Sequence, residues 1–190
     1  MNLRLTISPE SVRDAMPPDR VLLDAAARGM VVAIRRHLRE KNSRTPPKNG
    51  FPKSNYYAEA GDTARGSVQG GAAVVEVGPD DPNGPGSGIA LHYYGGTVYP
   101  KKKALAIPIS PAVAGIWPSE ANAFANEEEY SILWPKNSAH GFIKDNERNE
   151  LLWLLVPKAT IPADPDVLPT DDEILTAAEN AVLPLLEGAS

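Results

Sequence analysis

The chain has 190 residues, no cysteine and a formal charge of −5. These exclude disulfides and thiolate chemistry, leave any metal centre to three histidines and the carboxylates, and argue against a dedicated nucleic-acid binder. The length suits one domain spanning 1–190 with a core over about 19–186.

No apolar run reaches the ~18 residues of a membrane span, and "MNLRLTISPESVRDAM" lacks the apolar stretch of a signal peptide. A soluble product with no membrane partner is the expectation. Proline is the outlier: nineteen residues, twice the usual ~5%. They sit singly between apolar segments, which predicts many short elements joined by ordered loops.

In chain order, residues 18–41 predict the first helix. Leu23, Ala26, Ala27, Met30, Ile34, His37 and Leu38 form one stripe at helical spacing. Pro18 and Asp19 suit its first turn. Arg28, Arg35 and Arg39 share the far side, either as a solvated face or against acidic residues of a neighbouring copy. The loop Asn42 to Asn55 follows, and Ser54 can cap a short helix that fades at Gly61 or Gly66. "AAVVEV" (72–77) reads as a strand, and "GPDDPNGPGSG" (78–88) as a turn-forming loop. "IALHYYGGTVYP" and "ALAIPIS" read as two extended arms of a hairpin turning at Lys101, Lys102 and Lys103. Residues 111–139 form an elaborated loop insertion with one strand at Tyr130–Trp134. A second hairpin turns at Asp145–Asn149, and its return arm, Leu151 to Val156, is apolar throughout and expected to be covered on both faces. The last helix opens on Thr170 and Glu173 at capping-box spacing, and Pro184 should kink or stop it. Two terminal helices around four to six successive strands predict an α+β fold: an N-terminal amphipathic helix and a C-terminal helix packed on an antiparallel sheet, with long ordered loops.

Chemistry-bearing motifs are scarce. Gly95–Gly96 has neither dinucleotide-binding nor P-loop spacing, and no helix is expected after it. His37 lies on the apolar face of the first helix and reads as a satisfied core histidine. His92 and His140 belong to no metal-ligand motif, and Glu127–Glu129 lack calcium-loop spacing. No serine stands in a nucleophile elbow. No catalytic, cofactor-binding or metal-ligating set is therefore expected. Trp153 reads as core. Trp117 and Trp134 both precede proline, which favours extended, projecting backbone, and they are the better candidates for contact with another subunit.

In "ALAIPI", Leu105, Ile107 and Ile109 alternate with Ala104, Ala106 and Pro108. The large face is expected to fill a core and the small face to admit close approach by another chain. Pro108 cannot donate to a ladder, which marks an edge strand open to assembly by packing or strand addition. Lys101, Lys102, Lys103, Arg28, Arg35, Arg39, Trp117, Trp134 and Pro108 are thus the candidate interface residues.

The stretch "HYYGGTVYPKKKALAIPIS" (92–110) resembles the signature of the phage virion morphogenesis family, the Mu-like tail completion and head–tail joining proteins: a segment ending in "GG", a "T-v-x-P-K" strand, then "kaLaiPi". The early amphipathic helix and "LLWLLVP" before an acidic-capped helix are also similar, over about Leu22 to Leu186. Residues 111–139 are longer than the family pattern, and "VPKATIPADPDVLP" stands where an arginine-rich "P-x-R-x-F" is usual. The resemblance implies a structural virion component at the head–tail junction or tail end, a tail completion, terminator or neck protein and not an enzyme. It implies rings, often hexameric, contacts with connector, adaptor or tail-tube proteins, and DNA passing the lumen without specific binding. Its location would be the virion, and the host cytoplasm during assembly. The alternatives are a small hydrolase using His92, His140 and Glu127–Glu129, or a nucleic-acid-binding accessory protein using the arginine stripe and the lysine turn.

Overall fold

The helix expected over 18–41 runs Arg20–Arg44 (α1) in the computed structural model. Residues 3–7, 20–48, 50–81, 84 and 86–187 are described; Pro18 and Asp19 lie outside them. Two units emerge from the tertiary contacts. The first combines 1–45, 54–95 and 162–190, and the second combines 46–53 with 96–161.

In the first unit, β1 (Leu3–Ile7), β3 (Ala72–Val77) and β2 (Arg65–Gln69) form an antiparallel sheet in the order β1-β3-β2. The central strand β3 is buried at every position except Glu76, as its β-branched run demands. Met30, Ile34 and Leu38 of α1, four residues apart, are completely buried and cluster with Val75, Val77 and Ile89. The short helix α2 (Tyr56–Asp62) begins where the Ser54 hydroxyl accepts the Tyr56 N–H at 3.1 Å. It ends at Asp62, one residue past Gly61, which is buried near Leu38. Gly66 already belongs to β2.

The helix α4 (Asp171–Glu187) starts on the expected capping box. The Thr170 N–H donates to the Glu173 carboxylate at 2.9 Å, and the Glu173 N–H donates to the Thr170 hydroxyl at 3.3 Å. The Thr170 N–H, and then the Thr170 hydroxyl donating at 3.1 Å, hold the Glu173 carboxyl below the usual carboxylate range. Pro184 does not stop the helix, which continues to Glu187. The bond the proline forfeits is the one to the Asn180 carbonyl, at an exposed position where water can replace it.

The second unit holds the pair β4 (Gly96–Val98) and β9 (Ala159–Ile161) and a four-stranded antiparallel sheet. Its strands are β5 (Leu105–Pro108), β6 (Tyr130–Leu133), β7 (Gly141–Asp145) and β8 (Glu150–Val156), in the order β5-β8-β7-β6. The hairpin β7–β8 turns where expected, with Asn149 at φ 57°. Trp153 is completely buried and stacks edge-on with Tyr130 at 6.3 Å.

The class is α+β with antiparallel sheets, divided into three sheets of three, two and four strands. The first expected hairpin is absent. Ile89–Tyr94 is a helix, α3, closed by Gly95 at φ 71°, where a Cβ would come within 2.6 Å of the Ala163 backbone nitrogen. The arms on either side of Lys101–Lys103 pair elsewhere: β4 with β9, and β5 with β8. Short apolar runs have no periodicity that separates strand from buried helix, and non-local pairing overrode the local turn.

Candidate assembly surfaces

Paired residues in antiparallel strands share a face, so register assigns every side chain of the four-stranded sheet. One row runs Pro108–Trp153–Ile143–Ile132, and the next, on the opposite face, runs Ile107–Leu154–Phe142–Leu133. The middle of the Trp153 row, Trp153 and Ile143, belongs to the core, with Val113, Ala123, Leu152 and Leu155 buried around it and Ala104 and Ala106 packed against it, while its ends, Pro108 and Ile132, are exposed. The faces of β5 are thus the reverse of the expectation. The small residues Ala104 and Ala106 meet the core, where the indole takes up the volume, while Ile107 and Ile109 remain 36% and 38% exposed.

A bulge between Ile143 and Lys144 continues the same exposed face. Lys144 pairs with Leu151 while Ile143 pairs with Trp153, so Leu152 is the extra residue. Leu152 and Trp153 consequently both turn inward, at 3% and 0% exposure, and Leu151 is left 39% exposed. The arm 151–156 is not covered on both faces. Ile107, Ile109, Leu133 and Leu151, with half-buried Leu154 and Phe142, make an open apolar face across all four strands. The unbroken apolar run "LLWLLV" pointed the other way, toward cover on both faces, because the sequence does not show the bulge that turns Leu152 inward and leaves Leu151 outside.

Among the expected contact residues, Trp117 is 63% and Trp134 52% exposed. Trp134 lies over Gly141, where a Cβ would stand 2.7 Å from the indole. Pro108 is on β5, an edge of the sheet. Lys101, Lys102 and Lys103 are exposed in the bend between β4 and β5. The segment after Ser110 is anchored. Ser110 caps a 3₁₀ turn at Pro111–Val113 by accepting the Ala112 N–H at 3.2 Å. Val113 and Ala123 are core residues, and the Trp153 indole N–H donates to the Ile116 carbonyl at 3.3 Å. The Asn146 amide donates to the Glu127 and Glu128 carbonyls at 3.2 and 3.1 Å. On this scaffold Ile116, Trp117 and Phe124 stand exposed; sequence reading singled out only Trp117.

The arginine stripe has three environments. Arg39 pairs with Asp62 at 2.8 Å. Arg35 is half-buried; its Nη2 donates to the Ala64 carbonyl at 3.0 Å, and its buried Nε has no hydrogen-bond partner among the described residues. Arg28 lines a groove of about 650 Å³ between α1 and α4, together with Val32, Arg36 and Asp172. The groove floor is Gly29, Ala33, Ala177 and Ala181. Val32 is 64% exposed.

Of the histidines, His37 is satisfied by the Asp166 carbonyl at 2.9 Å. His92 lies against the Tyr56 ring, with centroids 4.9 Å apart, in the first unit. His140 is exposed in the second. Burial, and then the neighbouring Tyr57, push the Tyr56 phenol up to about 12; its hydroxyl donates to the Ser87 carbonyl at 3.0 Å. Lys41, beside Tyr57, pairs with Asp164 at 2.8 Å. Among the described residues no group of three or more histidines and carboxylates can hold a metal ion, and no helix is long and apolar enough to cross a membrane. No protein-family model, curated protein or solved structure matches the chain significantly.

Proposed function

We propose that this chain is a structural subunit of a tailed-phage virion, at the head–tail junction or tail end, that works by seating apolar surfaces against neighbouring chains, copies of itself included. The observation that carries the reading is the open sheet face formed by Ile107, Ile109, Leu133 and Leu151. Full burial of such side chains is worth ~1.5–3 kcal/mol each, so covering the exposed two-fifths contributes on the order of 1 kcal/mol apiece. An unassembled chain leaves that energy unused and is prone to associate. The 92–110 resemblance supplies the virion context, and the net charge of −5 suits a subunit that DNA passes without sticking.

Light scattering on the purified full chain tests the self-assembly. Species heavier than a monomer are expected, and Ile107→Ser with Leu133→Ser should lower the mass while leaving the circular dichroism unchanged. Peptide mass spectrometry of purified particles tests the location. Turnover of a substrate by the isolated chain, lost on replacing His92 or His140, would overturn the reading in favour of an enzyme.

A further inference from the structure

Two other surfaces of this chain carry apolar groups beside charges of opposite sign. The first is the α1–α4 groove. Its floor carries no side chain larger than alanine, and its depth is set by direct helix contact, since a Cβ at Gly29 would stand 2.3 Å from the Ala177 carbonyl oxygen. Arg28, Val32 and Arg36 follow one another at i, i+4 and i+8 along one wall. Neither Arg28 nor Arg36 has an ion-pair partner among the described residues. Across the groove stand Asp172 and Glu173, but Glu173 is engaged by the Thr170 cap. The wall therefore offers Arg28 and Arg36 above an apolar floor, neither held in an ion pair among the described residues, with Arg36 also helping to lower the Glu173 carboxyl across the groove.

The second surface is the segment Ile116–Glu129. It carries Trp117 and Phe124, 63% and 56% exposed, and the exposed residues Glu120, Glu127, Glu128 and Glu129 in the same segment. The Trp117 N–H donates to the Glu120 carboxylate at 2.7 Å, and the anchors to Trp153 and Asn146 hold the ends of the segment. Rigid aromatic side chains presented on an ordered segment lose little entropy on docking, which is what an interface anchor requires.

We propose that Ile116–Glu129 of one copy docks in the α1–α4 groove of a second copy, with Trp117 and Phe124 on the small-residue floor and the glutamates facing Arg28 and Arg36. This rests on the self-assembly reading above and names its two halves. The groove, of about 650 Å³, is open along its length and suits side chains laid across it from another molecule. The contact is heterologous: each copy offers one groove and one segment, so copies add head to tail and either close into a ring or extend. Opposite charges at the rim make it salt-sensitive.

Sedimentation velocity on the full chain provides the test. Arg28→Glu with Arg36→Glu should weaken association at least about tenfold, and so should Glu127→Arg with Glu128→Arg and Glu129→Arg. Combining both sets in one chain should restore it. A one-to-one mixture of the two singly swapped chains should also associate, since each groove then meets the other chain's segment at opposite charge, although neither chain associates alone. Trp117→Ala with Phe124→Ala, which changes no charge, should dissociate the oligomer on its own, so the outcome is still decided if a charge variant misfolds. Mixed one-to-one with the Arg28→Glu/Arg36→Glu chain, the aromatic-deleted chain keeps its groove but lacks anchors, and the swapped chain's intact segment can fill that groove; discrete dimers and nothing larger are expected. If every variant associates as the unaltered chain does, this contact is wrong and the assembly reading stands. If the unaltered chain sediments as a monomer at all concentrations, the assembly reading fails first.

Discussion

Replacing Gly29 by alanine sets two known effects against each other. In an open helix, Gly→Ala stabilises by roughly 0.5–1 kcal/mol, because glycine loses more backbone entropy on folding. Gly29 lies inside α1, but its position is not open. The new Cβ would stand 2.3 Å from the Ala177 carbonyl oxygen and 2.8 Å from the Ala181 Cβ. Because the nearest obstacle is backbone, no rotamer change relieves it, and α1 and α4 must part by about 0.7 Å or more in a close-packed interface. Overpacking of this kind costs ~1–3 kcal/mol, and the upper half of that range applies to a backbone clash. The net expectation is a loss of about 1–2 kcal/mol, or a fall in Tm of roughly 2–8 °C for a chain of this length. Urea denaturation and a thermal melt measure it, with Val32→Ala, on an exposed position of the same helix, as the control near zero. A Gly29→Ala chain as stable as the parent or more so would show that α1 and α4 do not touch at this crossing, and the groove floor would have to be redrawn.

Two further predictions concern single aromatic residues. In a spectrophotometric titration Tyr56 should ionise near pH 12, above the ordinary phenol value of 10.0. A raised folded value means its contribution is fully present below the unfolded value near 10 and is lost as pH rises through the folded one, so Tyr56→Phe should flatten the alkaline limb of stability. Trp153→Ala should cost ~3–5 kcal/mol as a fully buried aromatic, whereas Trp153→Phe should cost less, losing the bond to Ile116 and some packing. Acrylamide should quench Trp117 and Trp134 and spare Trp153; equal quenching of all three would contradict the burial on which the sheet faces rest.

Elements with a strong local signature were legible before any tertiary contact was known. The apolar stripe of α1 put Met30, Ile34 and Leu38 in the core, Thr170 and Glu173 announced the start of α4, and the β-branched residues of "AAVVEV" read as a strand. Each is written in neighbours a few residues apart. The sequence reading failed where the deciding partner is remote. "LRLTI" is a strand because β3 pairs with it, and "IALHYY" is a helix ending where Gly95 meets Ala163. The lysine bend joins strands whose partners, β9 and β8, lie more than forty residues further along.

The candidate surfaces divide in the same way. Composition and spacing alone determined an acidic, cysteine-free α+β chain with projecting tryptophans and an arginine stripe. Only the tertiary structure decided which face of β5 is open. Alternation in a strand says that two faces differ, but not which one meets the core. That was settled by the volume of Trp153 across the ladder, which left room for Ala104 and Ala106 and turned Ile107 and Ile109 outward.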